Sequence, residues 1–271
     1  MNLELTNLHV LITGGSKGIG LACARGFLAE GARVTLVARS IETLLAAQTS
    51  LTAMLMNASV ADTTLRVNVI AADLRDAADA ERAVETVEHD FGPVDALVNS
   101  AGAAKRTPAA ELTAASWHDA MQAKFFTYIH VINPLIKKMG ERGRGAVVNV
   151  NGSGGKVATV THLAGGSANA ALMLASAGFA AAYAGKGVRV NAVNPGLTLT
   201  ERLHEGMQAE ARQQGISMEE ALTQAKATRP LGRIAEPSEI ADAVVYLASN
   251  RASYITGAVV AMDGAVTPMV V

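Results

Sequence analysis

Apolar runs rich in β-branched residues recur along the chain, at His9–Thr13, Arg33–Ala38, Leu65–Ala71, Val94–Asn99, Ala146–Asn151, Val188–Val193 and Ala258–Met262. They are continuous rather than alternating, as expected of strands buried on both faces of a parallel sheet. Between them the apolar positions take helical spacing near 18–30, 41–57, 77–91, 114–140, 160–184 and 237–248, and each crossover is long enough for a right-handed βαβ unit. The pattern predicts an α/β fold, a doubly wound parallel sheet of about seven strands. No Pro/Ser-rich linker, composition break or repeat divides it, so residues 1–271 read as a single domain. One stretch departs from the rhythm, a polar helical insertion at 200–233 after the sixth strand. Loops beyond the carboxyl ends of parallel strands build ligand sites, so this insertion is expected to serve as a substrate lid.

Composition supports a large core: half of the 271 residues are hydrophobic and 17% are charged. A net charge of −1 without an extended Lys/Arg cluster argues against nucleic acid or an anionic membrane as the main partner. The stretch Val157–Gly185 is apolar enough to raise a membrane span, but Thr159, Thr161, His162, Ser167 and Asn169 interrupt it, and a core helix is expected. Cys23 is the single cysteine, so no internal disulfide forms, and the N-terminus shows no secretory pattern. A cytoplasmic protein is the expectation.

The segment VLITGGSKGIG places Thr13, Gly14, Ser16, Lys17, Gly18, Ile19 and Gly20 between the first strand and the first helix. Glycines there let the backbone turn tightly and approach a pyrophosphate, whose charge sits on free N–H groups at the helix start. The spacing T-G-x-x-x-G-x-G resembles that of the short-chain dehydrogenase/reductase family. Asp73–Leu74, Asn99–Gly102 (NSAG, with Ala101), the NPG of Asn194, Pro195 and Gly196 with Thr198 beyond it, GRIAEPSEIADAVVYLAS and YITGAVVAMDG extend the likeness over almost the whole chain. The resemblance implies a Rossmann-type fold, an adenine contact at Asp73 and Leu74, nicotinamide contacts after the sixth strand, and a homotetramer or dimer. The long helix 160–184 and the terminal VTPMVV are the surfaces it would use.

The second strand ends VTLVARS, offering Arg39 and Ser40 where an NAD site usually presents a carboxylate to the ribose. With Lys17 in the phosphate loop, a 2′-phosphate would meet a guanidinium, an ammonium and a hydroxyl, which favours NADP(H).

Mainstream members of the family use a serine after the fifth strand, a tyrosine that transfers the proton, a lysine four residues later that lowers its pKa, and an asparagine on the preceding helix. Ser153 matches the serine. Alignment of GGSANAAL puts Gly165 at the tyrosine and Asn169 at the lysine, and neither can replace the lost group. Counting seven from Trp117 reaches Lys124 at the asparagine position, so lysine and asparagine exchange places. A divergent branch, the enoyl reductases, spaces its pair seven apart, and seven before Asn169 stands His162, an imidazole suited to acid–base work near neutrality. The expected set is therefore Ser153 to orient, His162 to transfer the proton, and Lys124 with Asn169 to hold cofactor and substrate. Tyr128, four residues after Lys124, is the rival donor, whereas Tyr183, Tyr246 and Tyr254 read as packing residues. No metal site is expected.

The resemblance implies an NADP-dependent oxidoreductase acting on a small carbonyl or conjugated enone or enoyl substrate, 3-oxoacyl-like or enoyl-like. The alternatives are a catalytically impaired NADP(H)-binding protein, or a non-redox lyase or isomerase on the same scaffold.

Overall fold

The computed structural model describes residues 1–58, 66–102 and 104–268. Seven parallel strands form one sheet: β1 (His9–Thr13), β2 (Arg33–Ala38), β3 (Val67–Ala71), β4 (Ala96–Asn99), β5 (Gly145–Val150), β6 (Val188–Pro195) and β7 (Val259–Met262). Their order, β3-β2-β1-β4-β5-β6-β7, reverses between β1 and β4, and at that switch point a crevice opens beyond the strand ends. The doubly wound α/β architecture read from the pattern is observed. Leu65, where the third strand was expected to begin, lies outside the described residues, and β6 runs two residues further than its apolar run.

Side chains alternate across the strands and feed two cores. Val10 and Ile12 of β1 face helices α1 (Gly18–Ala29), α2 (Ile41–Asn57) and α9 (Pro237–Ala248). Leu11 faces the opposite way, toward α3 (Ala77–Asp90), α5 (Thr127–Glu141) and α6 (Leu163–Tyr183). The helix α6 is long and apolar enough to cross a membrane, with a mean hydropathy of 1.2, yet half of that window is buried within the fold. It packs on β6 and on the turn after β5, the position of a core helix. Tyr128 is fully buried as a packing residue, whereas Tyr254 is fully exposed, contrary to the reading of a packed terminal strand.

Two departures bear on the site. The helix expected over 114–140 is three pieces: α4 (Ala114–Ala120), a π-helical segment Met121–Phe126, and α5. A π segment widens the helix by one residue and turns its side chains out of register, which is common beside functional sites. Here it drives Lys124 inward, 8% exposed. The helix expected from 160 begins only at Leu163, so His162 is its N-cap rather than part of its first turn.

The insertion at 200–233 folds as two helices, α7 (Glu201–Gln214) and α8 (Met218–Ala227). They close a small cluster of their own from Met207, Ala211 and Ala221.

Candidate active site

The first βα turn is shaped by main chain. Gly14 has φ +66°, and a Cβ there would lie 2.7 Å from the Ser100 carbonyl oxygen; a Cβ at Gly20 would lie 2.3 Å from that of Gly14. Only glycine permits these approaches. Thr13 ties the turn to the neighbouring strand: its hydroxyl donates to Asn99 Oδ1 (3.2 Å) and accepts from Ser100 N and Ala101 N. Asn99 continues the network by donating to Asn149 Oδ1 at 3.0 Å. Gly102 (φ +88°) lets the β4 loop press on the π segment, for a Cβ there would strike the Ala123 carbonyl.

The start of α1, like that of α6, differs from the capped helix starts around it. Ser40, Asp76, Thr200 and Ser217 cap α2, α3, α7 and α8 with their side chains. At α1 the N-cap is Lys17, which forms no side-chain cap, and no acidic residue stands in the first turn. Free N–H groups and an uncompensated positive dipole at the end of a glycine turn fit a pyrophosphate.

Arg39 and Ser40 lie exposed at the end of β2. The Ser40 hydroxyl accepts from Thr43 N as a helix cap and keeps its own proton to donate. Lys17 turns toward α7, with Nζ 3.4 Å from Glu201 Oε2, so part of its charge is met there rather than left wholly for a ligand. Asp73 holds Arg75 through both carboxylate oxygens, which lowers its pKa to about 2, and Leu74 is buried beside it. At the far end of the crevice Pro195 closes β6, and a Cβ at Gly196 would lie 3.1 Å from Asp263, tighter than an ordinary contact. The buried Thr198 hydroxyl donates to the Gly196 carbonyl at 3.4 Å.

Lys124, His162 and Asn169 converge where β5 ends and α6 begins. The Lys124 ammonium donates to Tyr128 Oη (2.8 Å) and the Val150 carbonyl (2.9 Å), and stands over the Tyr128 ring. Burial, reinforced by the charge of Arg202, lowers its pKa to about 7. Tyr128 donates to the same Val150 carbonyl at 2.6 Å, and burial raises its pKa far above the phenol range. As a rival proton donor it is excluded by that geometry: it is sealed in the core and holds Lys124.

The His162 ring folds back over the first turn of α6. A Cβ at Gly165 would lie 2.3 Å from His162 Cε1 and 2.7 Å from its Nε2; one at Gly154 would lie 3.1 Å from Cδ2. The imidazole thus fills the volume that a side chain at 165 would enter. Burial, then the charges of Arg106, Arg202 and Lys124, lower its pKa, which keeps the ring neutral at pH 7. A Cβ at Gly152 would lie 3.1 Å from Asn169 Nδ2. Ser153 sits in a short 3-10 turn between Gly152 and Gly154, and among the described residues its hydroxyl bonds to none of the other three.

Several buried polar atoms along this wall have no hydrogen-bond partner among the described residues: His162 Nδ1, Asn169 Oδ1, Asn194 Oδ1 and both amide atoms of Asn151. Such atoms are costly unless a ligand or water completes them. Sequence reasoning did not select Asn151, nor Arg106 and Arg202, whose charges reach His162. Their one signal was position, beyond the carboxyl ends of β5 and β4 and in the first turn of α7 after β6. No group of three or more His, Cys, Asp or Glu able to hold a metal occurs among the described residues.

Residues 14–267 match the model of a family described as enoyl-(acyl carrier protein) reductase. The chain is 34% identical to the D-threitol dehydrogenase of Mycolicibacterium smegmatis over 266 residues, covering 98% of this chain and 95% of that one. In structure it resembles the L-sorbose reductase of Gluconobacter frateurii complexed with NADPH and L-sorbose, with a TM-score of 0.91, 30% identity and full coverage of both chains. It also resembles the NADPH-bound short-chain oxidoreductase of Pseudomonas aeruginosa PAO1 containing an atypical catalytic centre. That match has a TM-score of 0.86 and 30% identity, and covers 98% of this chain and all of that one.

Proposed function

The chain belongs to the short-chain dehydrogenase/reductase family, and from that premise we propose an NADP-linked oxidoreductase that interconverts an alcohol and a carbonyl compound through a relocated set of catalytic residues. The observation that carries this reading is the His162 imidazole lying in the volume a side chain at Gly165 would enter. In this family the tyrosine that moves the proton belongs at that position, so the acid–base group has moved in sequence while keeping its place in space.

The cofactor assignment rests on the cradle itself. Gly14, Ser16, Lys17, Gly18, Ile19 and Gly20 fit a pyrophosphate, and Arg39 with Ser40 fits a 2′-phosphate. Asp73 and Leu74 border the adenine, while Asn99, Ala101, Gly102, Pro195, Gly196 and Thr198 line the nicotinamide half. Bound there, the nicotinamide supplies or accepts the hydride.

The neutral His162 ring accepts the hydroxyl proton when an alcohol is oxidised and returns it when the carbonyl is reduced. A charged Lys124 has a third N–H beyond those given to Tyr128 and Val150, and that proton stabilises negative charge on the substrate oxygen. Asn169 and Asn151 complete the polar wall, and Ser153 orients the same oxygen from the turn between Gly152 and Gly154. The relatives named for threitol and sorbose favour alcohols and ketones over enoyl thioesters as the substrate class. The hairpin of α7 and α8 is the lid.

A panel of polyols, ketoses, oxo acids and enoyl thioesters, followed at the nicotinamide absorbance, tests the reaction. Turnover is expected to fall about 100- to 10,000-fold in His162→Ala and Lys124→Met, with cofactor affinity retained. Full activity in both variants would remove the relocated set. Saturable NADPH binding without turnover of any member would leave a binding protein. Arg39→Ser should weaken NADPH about 10- to 100-fold while sparing NADH, and tighter NADH binding by the wild type would overturn the choice of cofactor.

A further inference from the structure

The loop after β4 and the first turn of α7 meet in front of His162. Arg202 Nη2 donates to the Ala104 carbonyl at 3.0 Å, which pins the lid helix to that loop. Ala104 Cβ and the His162 ring would both crowd a Cβ at Gly165, so Ala104 is the neighbour of the imidazole. Two residues past Arg106's predecessor in that loop, Thr107 N donates to the Thr161 carbonyl at 2.9 Å, tying the segment that carries Arg106 to the residue before His162. Arg202, seated at Ala104, and the segment that carries the exposed Arg106 therefore stand near the imidazole, on the same side of the site as the buried Lys124.

Some arginines of this protein are paired with acids, whereas others, such as Arg39, Arg189 and Arg212, have no acidic partner among the described residues. Arg75, Arg82, Arg142, Arg144 and Arg233 each hold an acidic side chain within 4 Å. Among the described residues Arg106, Arg202 and Lys124 hold none, and Glu205, one turn along α7, attracts Arg202 only from beyond ion-pair distance. Burial is the main cause of the lowered pKa of Lys124 and of His162, and the neighbouring cations add to it: Arg202 at Lys124, and Arg106, Arg202 and Lys124 at His162. Beside them, Asn169 Oδ1 and both amide atoms of Asn151 are buried without partners, on side chains 5% and 7% exposed. Cations gathered without counter-charge against an unsatisfied polar wall call for an anion from outside.

We propose that the substrate carries an anionic group, a carboxylate or an oxyanion of similar shape, close to its reacting carbon, and that Arg106 and Arg202 bind it. The substrate is then a hydroxy acid or its oxo acid rather than a neutral polyol. The assignment of a reacting carbon rests on the oxidoreductase reading above; the anion subsite does not. A guanidinium fork matches two carboxylate oxygens, and its seat on the lid couples anion binding to closure over His162.

Calorimetric titration of the NADPH-loaded protein with oxalate, malonate and succinate, each against its neutral diamide, tests the subsite without turnover. At least one dicarboxylate should bind about tenfold or more tightly than its diamide, and Arg202→Gln and Arg106→Gln should each lose about 10- to 100-fold of that affinity. Arg212→Gln removes the same charge from an exposed position on the same helix and should change nothing. Equal binding of acid and diamide, no binding of any dicarboxylate, or an equal loss in Arg212→Gln would each overturn the subsite. Turnover of ketoses alone, with dicarboxylates ignored, would sink the anion while leaving the oxidoreductase. Dicarboxylate binding without turnover of any substrate would do the reverse.

Discussion

Around the start of α1 the crevice is lined by main chain, whereas around the start of α6 it is lined by side chains. At the first, Gly14 and Gly20 permit backbone approaches that a single Cβ would block, and the helix start, uncapped like that of α6, presents its N–H groups. At the second, an ammonium, an imidazole and carboxamides meet from four different segments. A backbone site is bound to its sequence positions, because only glycine there gives the shape. A side-chain site is bound to a place in space, and any residue able to reach that place can fill it. His162 reaches the space over residue 165 from the N-cap of the same helix, and Lys124 reaches the end of β5 from a π segment.

The largest effects should come from attacking the backbone end. In Gly20→Val the new Cβ begins 2.3 Å from the Gly14 carbonyl, so the turn must open. NADPH affinity is expected to fall by about 100-fold or more, the equivalent of roughly 3 kcal/mol, together with a lower melting temperature. Calorimetric titration and thermal denaturation check this. Near-normal cofactor affinity in that variant would erase the contrast between the two ends.

A sharper test takes the side-chain end alone. Gly165→Ala places a methyl 2.3 Å from His162 Cε1 and must displace the ring, so it should cost about 100-fold in turnover, approaching the loss in His162→Ala. In the double variant the two losses should not add, because both remove the same group from the same place. Additive losses in a double-mutant cycle would mean that the crowding at Gly165 acts through the helix and not through His162.

That contrast also explains what could be read from the chain beforehand. The sheet, its one-domain organisation and the phosphate turn were legible because continuous β-branched runs and glycine spacing are local signals. The lysine at 124 was legible by its count from Trp117, but not its partners, since Tyr128 Oη and the Val150 carbonyl come from a helix turn and a distant strand. Helical periodicity assumes a regular register, so the π segment that turns Lys124 inward left no trace in it. The counting argument that picked His162 put it on a helix two turns before Asn169, whereas the residue is a cap that bends back toward Gly165. Arg106 lies on the loop after β4 and Arg202 in the first turn of α7, 96 positions apart, and their approach to His162 depends on how α7 docks at Ala104.

The smallest effect expected is thermodynamic, and its sign opposes the catalytic one. Lys124 has an ordinary pKa of 10.5 and a folded value of about 7, so the folded protein binds its proton less readily than the unfolded chain. Stability should therefore rise with pH between about 7 and 10.5, by at most about 1.4 kcal/mol per pH unit from this group. Below pH 7 both states carry the proton and the full cost remains. Lys124→Met removes the buried charge, and the Val150 carbonyl still accepts from Tyr128. At pH 7 the variant should be more stable than the wild type by about 1–3 kcal/mol, with the difference shrinking as pH approaches 10.5. Urea denaturation of both proteins across that range measures it. A variant that is less stable at every pH would show that Lys124 is structural glue, not an ammonium kept under strain for the reaction, and the side-chain end would then lose its claim to have been assembled for chemistry.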